Sequence, residues 1–203
     1  MLQLTEQNAH SSSDVPDRDL GRGVLTALRD VVPIRPLSRA EAMRATEVQA
    51  TLLLRRGKVV RPPVGDGLIA AVPRVQILRV EPLAAAGATQ WANGRWLIVI
   101  RGVDDPRRQR FSIAHEFKHI LDHPFISVLY PGPDGSPSHK RAEEMCNYFA
   151  ASLLMPRSWV RRHWENGPQD IAVLARRFQV STAAMRIRLS QVGLTGVHRT
   201  SGP

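Results

Sequence analysis

The sequence predicts an α+β fold: a small, mostly antiparallel sheet packed on a helical core, closed by a pair of helix-turn-helix-like helices. Three observations predict it. An Asn93-Gly94 pair stands between Thr89-Gln90-Trp91 and Arg95-Trp96-Leu97-Ile98-Val99-Ile100, and such a pair supplies the positive φ values of a tight type I′ hairpin turn. Two apolar-rich segments, from Asp104 to about Asp122 and from Ala142 to Met155, are bounded by helix start and stop residues. A third pattern, Leu-Ala-x-x-Phe-x-Val-Ser-x-x-Ala-Met-x-x-Arg-Leu over Leu174 to Leu189, has the form of two short helices joined by a turn.

Each element follows from local chemistry. Residues 1–20 are polar and rich in Ser and Asp, and are expected to be a disordered tail. Gly23 to Val32 is apolar enough for a short helix, which Pro33 and Pro36 stop. Ser38 and Glu41 form a capping-box pair, so a helix is expected from there to about Arg56, ending at Gly57. A loop carrying Pro62, Pro63, Gly65 and Gly67 leads to a strand over Val75 to Val80 and then to the hairpin. Asp104-Asp105-Pro106 starts a helix that Pro124 stops. The segment from Tyr130 to His139 holds three prolines and two glycines and is read as a loop, and Pro156 stops the helix that follows it. The tail is helical to about Leu194 with a break at Gly167-Pro168, and residues 195–203 are expected to be flexible. The expected units are a domain over 21–156 and a helix-turn-helix-like unit over 157–194.

Composition narrows the class. No run of eighteen apolar residues is present, so no membrane helix is expected. The N-terminus lacks a secretory pattern and Cys146 is the single cysteine, so no intrachain disulfide forms and a cytoplasmic location is expected. The net charge is +10, with 28 Lys and Arg against 18 Asp and Glu. That excess suits an acidic partner such as nucleic acid, and equally an arginine-favouring genome.

The chemistry lies in His115-Glu116-Phe117-Lys118-His119. Histidines four apart share a helix face, so both imidazoles can reach one Zn²⁺. Glu116 is then placed to act as a general base on a water that attacks a peptide carbonyl, which makes the expected activity that of a zinc-dependent endopeptidase. A third ligand is required. Glu143 shares a helix face with Asn147, whose amide could orient a ligand from outside the metal shell, while Glu144 lies about 100° round the helix. Asp122 and His123 are the other local candidates. Tyr130, His139 and His123 are near enough in sequence to be candidate oxyanion donors. Trp91 and Trp96 are expected to pair across the hairpin. An open edge of the sheet could take an extended substrate by strand addition, and the sequence leaves open which edge.

These residues carry a resemblance. Arg110-Phe111-Ser112-Ile113-Ala114-His115-Glu116-Phe117-Lys118-His119 resembles the metal helix of the ImmA/IrrE metallo-endopeptidases. Glu143-Glu144-Met145-Cys146-Asn147-Tyr148-Phe149-Ala150-Ala151-Ser152-Leu153-Leu154-Met155-Pro156 looks like the family's second signature, and the likeness covers roughly residues 40–192. It implies Glu143 as third ligand. It also implies a protein substrate, a helix-turn-helix repressor whose cleavage releases mobile-element or stress-response genes. Two positions depart from the pattern. Lys118 stands where the family often has Gly, which would bring a positive charge near the cleft. Cys146 stands where a small residue, usually Ala, is found, and a buried thiol is expected there.

In the tail, Ala175 is read as the contact between two helices, Val180 as the packing residue of the turn and Ser181 as the second helix's cap. Arg176, Arg177, Arg186 and Arg188 are the residues that would touch DNA or a partner. A bracing or docking role is favoured over DNA binding, because a helix-turn-helix is a shape before it is a function. The rival readings are a DNA-binding regulator, or a repressor antagonist that does not cleave, with the metal kept for structure.

Overall fold

The computed structural model describes residues 23–81 and 85–194, so the tails expected over 1–20 and 195–203 lie outside it. The described elements are α1 (Val24–Asp30), α2 (Arg39–Arg56), α3 (Gly67–Ala70), β1 (Val75–Val80), β2 (Gly87–Ala92), β3 (Arg95–Arg101), α4 (Pro106–Asp122), α5 (Ile126–Leu129), α6 (His139–Leu154), α7 (Arg157–Glu165), α8 (Ile171–Phe178) and α9 (Thr182–Gln191). The α+β class is as predicted. None of the helices is long and apolar enough to cross a membrane.

Local signals placed most boundaries. Ser38 and Glu41 form the reciprocal capping box, with the Glu41 amide donating to Ser38 Oγ (3.3 Å) and the Ser38 amide to Glu41 Oε2 (2.9 Å). Asp105 caps α4 by accepting from the Arg107 amide at 2.8 Å, with Pro106 at the first helical position. The α6 helix starts at His139, about one turn before its expected start at Ala142. The short helices α3 and α5 are too brief to show a helical period in the sequence.

The sheet differs from expectation. It is mixed, in the order β1-β3-β2, with β3 antiparallel to β2 and parallel to β1. The hairpin is as predicted: Asn93 (φ 52°) and Gly94 (φ 73°) both take positive φ, and Trp91 faces Trp96 across the turn. The sequence suggested a mostly antiparallel sheet, but the β1–β3 pair is parallel. The more apolar β3 takes the centre, where Ile98 and Ile100 are fully buried and its backbone is paired on both sides. That leaves β1 and β2 as the two edges.

Beneath the sheet, α4 and α6 cross in the core, with α2 packed on α6. Phe117 and Phe149 meet there with ring centroids 6.1 Å apart, and burying each contributes roughly 1.5–3 kcal/mol. One apolar cluster runs from Leu28 through Ile113 and Phe117 to Phe178, Met185 and Leu189, so the C-terminal helices share the core of the rest. Asp170 caps α8 and Ser181 caps α9. Between them Gln179 adopts the left-handed conformation that ends α8, while Ala175 and Val180 are buried at the turn as the sequence suggested.

Candidate metal centre

His115 and His119 sit one turn apart on α4 with their Nε2 atoms 3.2 Å from each other. From α6, Glu143 brings Oε2 to 3.3 Å of His115 Nε2 and Oε1 to 3.2 Å of His119 Nε2. Ligands bonded at about 2.0–2.1 Å to one ion at tetrahedral angles stand about 3.3–3.4 Å apart, so the two imidazoles are spaced as ligands of one ion and the Glu143 carboxylate straddles them at the same range. The donor set of two imidazoles and a carboxylate, with solvent on the remaining side, fits a zinc ion. Burial first, and then the neighbouring His115, hold His119 below the usual imidazole range despite the opposing Glu143, which keeps its ring nitrogen available as a donor.

Cys146 is the competing third donor, since a set of His115, His119 and Cys146 atoms also lies within 4.8 Å of one another. Glu143 is the better candidate. Its oxygens stand 3.3 and 3.2 Å from the two imidazoles, and it faces solvent, where a metal ion can arrive. The Cys146 side chain is 1% exposed, and burial, then Asp122, push its thiol well above the usual range, so the thiolate is disfavoured. The other sequence candidates are engaged elsewhere. Glu144 pairs with Arg39 of α2 at 2.5 Å. Asp122 is buried against Lys118 and Tyr130. His123 stacks edge-on against Trp96, with centroids 5.0 Å apart.

Asn147 is where the sequence reading placed it, one turn beyond Glu143. Its Oδ1 lies 3.1 Å from His115 Nδ1, and an Nδ1–H donated to that oxygen leaves Nε2 as the lone-pair nitrogen. The expected outcome of Asn147→Ala is a loss of about 10–100-fold in metal affinity, measured by chelator competition. Unchanged affinity would show that the amide does not orient the ring.

Glu116 points from α4 towards β2. Burial first, and Glu143 second, push its carboxyl up to about 7, opposed by a hydrogen bond from Thr89. Gly87 lies against it so closely that a Cβ there would stand 2.9 Å from Glu116 Oε1. Thr89 and Gly87 therefore help to position this carboxylate. Neither was legible in the sequence, because nothing local says which strand the helix faces.

Several sequence expectations are corrected. Tyr130 is no oxyanion donor: it is 1% exposed, and its hydroxyl donates to Asp122 Oδ2 at 2.9 Å. His139 is exposed at the first position of α6 and lines none of the cavities around the centre, whereas His123 does line one. Lys118 brings no charge to the cleft. It points into the core and donates to Asp122 Oδ1 (2.6 Å) and Gln49 Oε1 (2.9 Å). Arg188 cannot meet DNA, because it is fully buried, donating to the Met155 carbonyl (2.9 Å) and pairing with Glu47 (3.2 Å). Arg176, Arg177 and Arg186 are exposed, with Arg177 Nη1 3.0 Å from His163 Nδ1.

The site carries the His-Glu-x-x-His pattern of a class of metallopeptidases. The chain belongs to the family of the IrrE N-terminal-like domain, peptidase family M78, which matches residues 73–190. It is 31% identical over 135 residues to the radiation response metalloprotease IrrE of Deinococcus radiodurans, a match covering 61% of this chain and 39% of that protein. It is 34% identical over 102 residues to the protein of the same name from Deinococcus deserti, covering 47% of this chain and 36% of that one. The chain thus matches well under half the length of these relatives. Its fold is similar to that of a solved Mycobacterium tuberculosis transcriptional regulator, with a TM-score of 0.59 and 19% identity over 87% of this chain and 53% of the other.

Proposed function

We propose that this chain is a zinc-dependent endopeptidase whose metal is held by His115, His119 and Glu143. The single observation that carries this reading is the convergence of the two Nε2 atoms, 3.2 Å apart, with one Glu143 oxygen within 3.3 Å of each. Zinc held there would polarise the scissile carbonyl and lower the pKa of water towards about 7. Glu116 takes the proton from the attacking water and passes it to the leaving amine, a role suited to a carboxyl tuned near neutrality. The outer edge of β2 binds the substrate backbone as an added strand, since Gly87, Thr89, Gln90 and Trp91 border the cleft beside Glu116 and Glu143. His123 is the group in that cleft suited to meet the oxyanion.

The biological substrate in this reading is a helix-turn-helix repressor, whose cleavage derepresses mobile-element or stress-response genes. The family resemblance supports it, as do relatives named for a radiation response. The α7–α9 region is read as a helix-turn-helix-shaped brace of the peptidase rather than a DNA reader. The inward burial of Arg188 supports that choice.

Elemental analysis of wild type, Glu116→Gln and Glu143→Gln, each incubated with the repressor encoded beside the gene, tests the reading. The expected result is about one zinc per chain in wild type and Glu116→Gln, much less in Glu143→Gln, and cleavage by wild type alone. Full zinc in Glu143→Gln would overturn the third ligand and return attention to Cys146. Stoichiometric antagonism of the repressor that survives Glu116→Gln would replace the enzyme with a binding protein.

A further inference from the structure

A cleft of about 740 Å³ opens beside Glu116 and His115. Its lining includes Ala86 and Gly87 at the start of β2, and Ser181, Ala184 and Ile187 at the cap and first turns of α9. Ala184 and Ile187, three apart on α9, lie on one face of that helix. Phe111, one turn before His115 on α4, lies beside them in the same lining. The same three residues also border an adjoining cavity of about 540 Å³ that reaches Glu143 and Asn147. They therefore form an apolar ridge running up to the metal centre from both cavities. Ile187 is 59% exposed on that ridge, a large aliphatic side chain left facing solvent next to the reactive groups.

The ridge is held rigidly. Arg188, the residue after Ile187, anchors α9 to the Met155 carbonyl and to Glu47 of α2. Arg110, the residue before Phe111, donates to the Gln179 side chain (2.6 Å) and to the Gln179 carbonyl, pinning the α8–α9 turn to the metal helix. A wall fixed at both ends can discriminate among side chains without the cost of ordering itself. An extended chain laid on the β2 edge turns alternate side chains to opposite faces, so one beside the scissile bond is directed at this wall.

We propose that Phe111, Ala184 and Ile187 form a specificity subsite that receives a large aliphatic or aromatic side chain of the substrate next to the scissile bond. The inference rests on the metallo-endopeptidase reading and adds to it that the C-terminal helices take part in substrate choice. Its occupant is a side chain of the peptide itself, because the ridge is continuous with the catalytic cleft.

The test uses the zinc-loaded full chain and two series of small hydroxamates, which chelate the metal. One series is built on amino acids and the other on succinate, so that the two sides of the metal are both sampled. Each carries hydrogen, methyl, isobutyl or benzyl, and binding is read by calorimetry rather than by turnover. In at least one series, isobutyl or benzyl is expected to bind about tenfold or more tighter than hydrogen. In Ile187→Asp that ratio is expected to fall below about threefold, with Ile187→Ala between. The exposure of Ile187 predicts an unchanged melting temperature for both variants, which checks their folding. A flat series in wild type, or a preference that survives Ile187→Asp, overturns the subsite. If the unsubstituted hydroxamate does not bind wild type at all, the metal-site reading fails and the subsite falls with it.

Discussion

Glu116→Gln is expected to lower kcat by about 10²–10⁴-fold, the usual span for loss of a general base. The amide has the same shape and keeps its place under Gly87, where a Cβ would already stand 2.9 Å from Oε1. It still accepts from Thr89 through its carbonyl oxygen, so the geometry of β2 against α4 survives. What disappears is the ability to take and return a proton. Burial and the neighbouring Glu143 both oppose charge at this position. A neutral residue is therefore tolerated, and the metal-free variant is expected to melt no lower than wild type near neutral pH. The sign follows from linkage. A carboxyl whose folded pKa is raised binds more protons folded than unfolded, so it costs stability as pH rises from the ordinary carboxylate range through about 7. Steady-state kinetics on one cleavable substrate, paired with metal analysis, measures the effect. Turnover within tenfold of wild type, with full metal, would place the base elsewhere.

Asp122→Ala is expected to lower stability by about 3–5 kcal/mol, although the residue touches no substrate. Asp122 is 3% exposed and Lys118 is 1% exposed. The carboxylate accepts from Lys118 Nζ at 2.6 Å and from the Tyr130 hydroxyl at 2.9 Å. Lys118 also donates to Gln49, whose amide in turn donates to the Leu28 carbonyl, so one polar chain ties α1, α2, α4 and the start of the loop before α6 together. Among the described residues, removing the carboxylate leaves the buried ammonium with Gln49 as its remaining hydrogen-bond partner. For a chain of this size the loss corresponds to a drop in melting temperature of roughly 6–20 °C. Asp122→Leu combined with Lys118→Met is expected to recover much of it, because removing both charges removes the uncompensated one. A double variant no better than the single would mean that Tyr130 and Gln49, rather than the ion pair, hold the network. A melting point for Asp122→Ala within about 2 °C of wild type would show that the ammonium is well solvated by another route.

The network also shows why two sequence expectations went astray together. Lys118 directly precedes His119 in the chain, and proximity in sequence suggested proximity to substrate. On a helix the next residue is turned by about 100°, so a residue beside a cleft-facing histidine can face the core. Tyr130 lies in a segment read as a loop before α6, and loops near an active site suggest function. Its ring is drawn inward because Asp122 needs a second donor. Arg188 repeats the lesson on α9. It sits in a basic, helix-turn-helix-like run, yet its guanidinium closes a contact to Glu47, a partner 141 positions away.

The sequence by itself determined whatever depends on neighbours within a turn or two. His115 and His119 share a face because they are four apart, and Glu116 is placed on the same helix by the same repeat. Ser38 with Glu41, Asp105 with Pro106, Ser181, and the Asn93-Gly94 turn set their element ends through bonds that span two to four residues. The Glu143–Asn147 pair was legible for the same reason, as two residues one helical turn apart. Only the tertiary structure decided that α6 brings Glu143 within 3.3 Å of both histidines while turning Glu144 away to Arg39. It alone decided that β3 lies between β1 and β2, that Gly87 and Thr89 face Glu116, and that α9 walls the cleft. Each of these is a choice among long-range contacts. Such choices turn on which apolar faces and buried charges can be satisfied at once, a condition that no local stretch of sequence contains.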